Sequence, residues 1–212
     1  MSRLQIKKFP PAAKGEPASG PTEPRVAELQ PSGWVARWLG APAGSARLLD
    51  FACGSGRHAR LAAGRGFQVL AVDREKAALD RIESKNIETR AEDLESGRWS
   101  FSAERFEVVV VTNFLHRPRI DLLSGLLAPG GLLLYETFGA GNEAHGKPSS
   151  PAFLLQPDEL FMLARRAGLA ILAFEQGFAA HPKPAQVQRL AAVRPPHDPQ
   201  SLPLGGRSLA LS

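Results

Sequence analysis

The run Leu48-Leu49-Asp50-Phe51-Ala52-Cys53-Gly54-Ser55-Gly56-Arg57-His58-Ala59 limits what this chain can fold into more than any other stretch. Apolar residues suited to a buried strand pass through a loop of small residues straight into a helix, predicted over 57–65 and stopped by Gly66. A strand that turns at once into a helix is the opening of a βαβ unit, and the rhythm continues. The pattern predicts a strand over 68–72, a helix over 74–84, strands over 87–91 and 108–111, a helix over 120–127, and a strand over 132–137 after Pro129-Gly130-Gly131. Strands that are apolar throughout, such as Val108–Val111, imply a sheet covered on both faces.

The ends of the pattern differ from its middle. A helix opened by Pro31 places Trp34, Val35, Trp38 and Leu39 on one face, either as core packing or as a lid. In the last third, Pro157 with Asp158 and Glu159 opens a helix that Gly168 closes. Strands over 169–174 and 187–193 follow, and the connection between them is too short for a crossover helix, so this pair is expected to be antiparallel.

Domain count follows from where the prolines fall. Of the 18 prolines, 7 lie in residues 1–45 and 4 in residues 195–212, leaving 149 residues with the other 7. At about 150 residues per domain, the middle is one domain over 31–194, with a disordered basic Pro-rich tail over 1–30 and a flexible tail over 195–212. Residues 1–45 carry +3 of the formal +5, so the basic character describes the tail as much as any binding face, which weakens a nucleic-acid reading. No apolar run approaches the roughly 18 residues of a membrane helix, and a single cysteine, Cys53, forms no internal disulfide. A soluble cytoplasmic protein without a metal site or membrane partner is expected.

The glycine loop matches a dinucleotide fingerprint loosely, with Gly54, Gly56 and Ala59 in the G-x-G-x-x-A positions and an acid, Asp73, after the next strand. Charge separates the candidates. Asp50, at the mouth of the first strand, would repel a pyrophosphate, whereas S-adenosyl-L-methionine brings an ammonium and a sulfonium to such a loop. Asp73 then suits the two ribose hydroxyls, or a helix N-cap, or both. In Ala91-Glu92-Asp93-Leu94, Asp93 falls at the turn and suits the adenine amino group, while Leu94 packs on the ring; an ordinary acidic loop is the plain alternative.

These residues resemble the class I S-adenosylmethionine-dependent methyltransferases. The matching features are Asp50-Phe-Ala-Cys-Gly54-Ser-Gly56, Asp73, Ala91-Glu-Asp93-Leu94, the strand Phe106 to Asn113, and Leu127-Ala-Pro-Gly-Gly-Leu-Leu-Leu, within residues 31–194. Ala52 stands where the family has the first of three glycines. The resemblance implies a Rossmann-like doubly wound α/β sheet of seven strands, order 3-2-1-4-5-7-6 with strand 7 antiparallel. It also implies that the donor is held by Asp50, Ala52, Gly54, Gly56, Arg57, Asp73, Arg74, Asp93, Leu94 and Asn113. Within the family the chain is most similar to small tellurite-resistance-type or quinone-biosynthesis-type members.

Methyl transfer from a sulfonium requires alignment and exclusion of water, and a base only when the acceptor must lose a proton. Ligands of open sheets sit outside the carboxyl ends of the strands, which puts Thr112-Asn113-Phe114-Leu115-His116-Arg117 beside the methyl group. Asn113 and His116 are the catalytic candidates. His116 reads equally well as a solvent-facing histidine at a helix start, and Arg57 either as a partner of the donor's carboxylate or as a solvated side chain. The family's DNA- and rRNA-amino methyltransferases carry Asn/Asp-Pro-Pro-aromatic at this place, so the resemblance implies that Phe-Leu-His after Asn113 counts against methylation of base amines. The long segment after strand five offers Glu136, Phe138, Asn142 and His145 to an acceptor site. A small-molecule acceptor is expected. An RNA or protein acceptor recruited by the tail, a nicotinamide-dependent oxidoreductase and a non-catalytic binding module are the alternatives; the oxidoreductase is disfavoured by Asp50 and by Gly139, not Lys, four residues after Tyr135, the only tyrosine.

Overall fold

The computed structural model describes residues 30–42, 44–96, 99–101 and 103–196. The expected tails therefore lie outside the described residues, save Gln30, Pro195 and Pro196. The elements in chain order are α1 (Gly33–Trp38), β1 (Arg47–Phe51), α2 (Arg57–Gly64), β2 (Gln68–Asp73), α3 (Lys76–Leu79), β3 (Ile87–Ala91), β4 (Phe106–Thr112), α4 (Arg117–Leu126), β5 (Leu127–Phe138), α5 (Glu159–Arg166), β6 (Ala170–Ala179) and β7 (Ala185–Val193), with short 3-10 turns at Asn142–Ala144 and Pro151–Phe153. The seven strands form one sheet in the order β3-β2-β1-β4-β5-β7-β6. The first five are parallel, and β7 runs antiparallel to both neighbours, as the short connection between the last two strands requires.

Period-two alternation divides the core into two layers. Leu49, Phe51, Val109, Val111, Leu133 and Tyr135 point to the face covered by α4 and α5. Leu48, Val108, Val110, Leu132 and Leu134 point to the face that also buries Trp34, Val35 and Trp38 of α1 and Ala59 and Ala62 of α2. Ser32 caps α1 by accepting from the Trp34 N–H (3.1 Å), and the Trp34 indole donates to the Leu190 carbonyl on β7 (3.1 Å), so this helix is docked on the sheet. No helix among the described residues is long and apolar enough to cross a membrane.

Several boundaries depart from expectation for physical reasons. The helix expected over 74–84 is one turn, because the residues after Ile82, Glu83-Ser84-Lys85, are exposed and have nothing to bury, while ahead of it the Asp73 carboxylate accepts from the Glu75 N–H (2.9 Å). Residues 129–131, expected as a turn, lie inside a longer β5, where Gly130 donates to the Arg194 carbonyl (2.9 Å) and Arg194 to that of Gly131 (2.9 Å). The helix α5 starts two residues after Pro157 because Asp158 takes a left-handed φ of 61°.

Two glycines separate close approach from mere permissiveness. A Cβ on Gly131 would meet backbone on three sides, the Ala128 carbonyl at 2.8 Å, the Phe106 carbonyl at 3.0 Å and the Ala128 nitrogen at 3.1 Å, whereas one on Gly125 in exposed α4 meets nothing. Urea unfolding is expected to show Gly131→Ala destabilising by about 1–3 kcal/mol and Gly125→Ala stabilising by roughly 0.5–1 kcal/mol.

Candidate active site

The site lies at the carboxyl ends of β1, β2, β4 and β5, where the order of strands reverses between β1 and β4. The loop from β1 to α2 is left-handed at every second residue, with φ of 58° at Ala52, 55° at Gly54 and 74° at Gly56. Glycine takes this conformation freely, whereas Ala52 holds it at a cost of about 1–2 kcal/mol. A Cβ on Gly56 would come within 2.5 Å of Ile82 Cδ1, but one on Gly54 would meet nothing.

Two carboxylates hold this backbone in place. Asp73 accepts from the Gly54 N–H through Oδ2 (2.7 Å) and from the Glu75 N–H through Oδ1 (2.9 Å). Asp50, 1% exposed, accepts from the Ala59 N–H through Oδ2 (2.9 Å), while its buried Oδ1 has no partner among the described residues. Burial pushes the Asp50 carboxyl up to about 7, against the opposing pull of the Ala59 N–H and Arg57. The same burial raises the Cys53 thiol well above its ordinary range, which keeps it un-ionised.

Sequence reasoning missed His58. It is 1% exposed, its Nε2 accepts from the Ser32 N–H (3.0 Å), and its Nδ1 lies 3.3 Å from the Thr112 hydroxyl. Because Nε2 accepts, Nδ1 carries the proton and donates to Thr112 Oγ1. Burial, helped by the Arg57 charge, pushes this imidazole down to about 3, so it is neutral. With Arg57 donating to the Gln30 carbonyl (3.3 Å), adjacent residues of α2 fasten the lead-in to α1 beside the loop. No local pattern signalled this role, because its partners lie 26 and 54 residues away.

Two clefts open on the loop. The larger, about 440 Å³, is bordered by Gln30, Pro31, Ser32, Ala52–Ser55, Arg57, Thr112, Asn113, Glu136, Phe138, Val187 and Arg189, and by Ala179 to Ala185 around the β6–β7 turn, including His181 and Lys183. The smaller, about 320 Å³, is bordered by Ala52, Asp73, Arg74, Asp93, Leu94, Glu95, Asn113, Phe114, Leu115 and Phe153. Ala52 and Asn113 border both, and both have left-handed backbones. The Asn113 N–H donates to the Glu136 carbonyl (2.9 Å), joining the ends of β4 and β5.

Of the candidates from sequence, Ala52, Gly54, Arg57 and Asn113 border the larger cleft, and Asp73, Arg74, Asp93 and Leu94 the smaller. Asp50 lies beneath the loop and Gly56 behind it, neither in a cleft lining. Asp93 accepts from the N–H groups of Glu95 (2.9 Å) and Ser96 (3.3 Å) and from the Ser96 hydroxyl, and these bonds lower its carboxyl, the hydroxyl most of all. His116 occupies the N-cap position of α4 without a side-chain cap bond and lies outside both linings. Glu136 and Phe138 border the larger cleft, where Arg189 donates to Glu136 (2.6 Å). Asn142 is instead a buried staple, donating to the Pro148 carbonyl (2.9 Å) and accepting from the Gln186 N–H (3.2 Å), and His145 packs on Phe178 with ring centroids 5.2 Å apart.

A methyltransferase domain matches residues 25–179, and the chain belongs to that family. Its family makes it a methyl-transferring enzyme, and the donor that the resemblance of its loop implies is S-adenosyl-L-methionine. Among solved structures, the S-adenosylmethionine-dependent methyltransferase from Methanosarcina mazei superposes with a TM-score of 0.61 at 19% identity, over 78% of this chain and 99% of that one. TehB from Haemophilus influenzae gives 0.60 at 18% identity over 72% of this chain, which spans only 58% of TehB. The 1,6-didemethyltoxoflavin-N1-methyltransferase from Burkholderia thailandensis, with bound 1,6-didemethyltoxoflavin and S-adenosylhomocysteine, gives 0.52 at 18% identity over 71% of each chain. At these identities the likeness is one of fold. No curated protein matches the chain.

The residues present fit that donor. The orphaned Asp50 oxygen under the loop favours a nearby cation, open space at Gly54 leaves the loop backbone approachable, and Asp73 supplies acceptors in the smaller cleft.

Asp50 and His58 make opposite demands on pH. Asp50 binds its proton more tightly in the folded chain, so its contribution to stability is complete below about 3.8 and is lost as pH rises through about 7. His58 binds its proton more weakly in the folded chain, so its contribution is complete above about 6.5 and is lost as pH falls towards about 3. Between about 4 and 6.5 the two slopes oppose. In that window, stability measured by urea unfolding is expected to rise with pH in Asp50→Asn and fall with pH in His58→Asn, relative to the unmodified protein, by up to about 1.4 kcal/mol per pH unit. Parallel profiles for all three proteins would refute this account.

Proposed function

We propose that the chain transfers the methyl group of S-adenosyl-L-methionine to a small-molecule acceptor held in the 440 Å³ cleft. The observation that carries this reading is the meeting of two clefts at Ala52 and Asn113, on the ends of β1 and β4. The nucleoside half of the donor suits the smaller cleft, where Asp73 keeps lone pairs for ribose hydroxyls beyond those given to Gly54 and Glu75. Its amino-acid half suits the loop side of the larger cleft, beside Arg57. When bound, the donor supplies a methyl carbon made electrophilic by a positive sulfur.

The chain's own residues then have to align the acceptor and keep water out. Pro31, Phe138, Pro182 and Val187 give the larger cleft apolar walls, and the Glu136–Arg189 pair gives it a polar point at the end of β5. A cleft of this size, shared with part of the donor, suits a small acceptor. Where that acceptor must lose a proton, Glu136 and His181 border the cleft and His116 does not. Asn113, bonded by its backbone to β5, orients the groups at the junction.

Calorimetry with S-adenosylhomocysteine tests the reading. The unmodified protein is expected to bind it, and Asp73→Ala to weaken binding on the order of tenfold or more, as loss of a hydrogen bond to a charged group does. Absence of binding by the unmodified protein would sink the reading, and an unchanged affinity in Asp73→Ala would remove the ribose role.

A further inference from the structure

We infer that the methyl acceptor is a small organic acid, and that Thr112 and Lys183 receive its carboxylate in the larger cleft. This rests on the function proposed above and narrows its acceptor to one chemical class. Thr112 is set as a hydrogen-bond donor. A backbone N–H can only donate, so the Ser32 N–H (3.0 Å) leaves His58 its proton on Nδ1, and Nδ1 donates it to Thr112 Oγ1 (3.3 Å). The hydroxyl keeps its own hydrogen to give, and the larger cleft is the space it borders. A ligand group that meets it there brings a lone pair.

Charge in the cleft has the same sense. Arg57, Lys183 and Arg189 border it against one carboxylate, that of Glu136. Across the sheet, Thr112 on β4 stands beside Glu136 on β5, Glu136 beside Arg189 on β7, and Arg189 beside Glu175 on β6. The acids of this row are already matched, because Arg189 donates to Glu136 (2.6 Å) and Glu175 accepts from Arg37 (3.2 Å) and Arg189 (3.5 Å). Arg57 lies beside the amino-acid half of the donor. Lys183 is the cation left over: it has no ion pair or hydrogen bond among the described residues, and residues 176–197 contain no acid to neutralise it. A carboxylate takes charge-assisted bonds from a hydroxyl and an ammonium together, whereas an amine would meet Lys183 and Arg189 as like charges. Pro31, Phe138, Pro182 and Val187 beside these donors suit the apolar body of such an acid.

The test uses the full chain saturated with S-adenosylhomocysteine, with saturation verified by calorimetry, so that the donor side is filled. Benzoate, benzamide and benzylamine, one ring with an anionic, a neutral and a cationic end, are titrated and read by backbone amide NMR shifts. Benzoate is expected to bind most tightly and benzylamine least, with shifts at Asn113, Lys183 and Val187. Lys183→Glu, on an exposed turn, is expected to keep the Tm and the S-adenosylhomocysteine affinity, to weaken benzoate about threefold and to strengthen benzylamine, as a reversed surface charge does. Thr112→Val should cost benzoate on the order of tenfold and benzamide less, and Thr112→Ser, which keeps the hydroxyl, should restore both. Where Thr112→Val fails to fold because the His58 N–H has lost its partner, Lys183→Glu decides. No binding of benzoate, equal affinity for the three probes, tightest binding of benzylamine, or an unaltered preference in Lys183→Glu overturns the inference and leaves the donor reading standing. Failure of the unmodified protein to bind S-adenosylhomocysteine overturns both.

Discussion

The site depends on a backbone that turns left-handed at residues 52, 54 and 56 and stays so because two carboxylates accept its N–H groups. Loops of this kind present N–H groups to anions, and in nucleotide-binding proteins a phosphate fills them. Here Asp73 occupies the Gly54 N–H from the side, while Asp50 takes one N–H of the first turn of α2, that of Ala59, from below. The positive potential of the loop is met by the chain's own acids before any ligand arrives. A second anion such as a pyrophosphate would find the Gly54 N–H already taken.

The acid that sequence reasoning took to face the donor works from underneath. Asp50 lies one side chain below the surface, and its neighbour His58, also buried, is driven neutral by the same desolvation that drives the carboxyl towards its protonated form. The floor of the site therefore carries little fixed charge, and the charges bordering the clefts come from Arg57, Glu136, Lys183 and Arg189 in the larger and Asp73, Arg74, Asp93 and Glu95 in the smaller. Of the two acids that hold the loop, Asp73 also adds charge to a cleft and Asp50 does not.

This division explains what could be read from the sequence. The glycine loop, Asp73, the double-faced strands and the antiparallel last strand were legible because each is local: small residues at fixed spacing, an acid after the next strand, continuous apolar runs, a connection too short to cross over. The positions of Asp93 and Leu94 were legible for the same reason. The meanings of His58 and Asn142 were not, because each depends on a partner far along the chain. His58 reads as one more polar residue of an amphipathic helix until Ser32 and Thr112 are placed against it. Asn142 reads as a loop residue open to ligands until Gln186 and Pro148 take up its amide. The helix after Asp73 was overestimated because Glu83, Ser84 and Lys85 continue it in sequence but have no face to bury.

The segment from Asn113 to Arg119 links the two clefts. Asn113 borders both, Phe114 and Leu115 border the smaller, and Arg117 and Arg119 anchor the walls on either side of it. A change in this segment would alter both clefts together. The larger cleft draws its outer wall from Glu136 and Phe138, whose carbonyls also hold Asn113 and Leu155 near the smaller one, and from the β6–β7 hairpin, whose His181, Pro182 and Lys183 border the larger cleft alone. Residues around Ala179 to Ala185 can therefore change without disturbing the walls beside Asp73. The architecture separates a cleft whose walls are anchored from α4 from one whose outer wall is an exposed hairpin, so the second can vary while the first is kept.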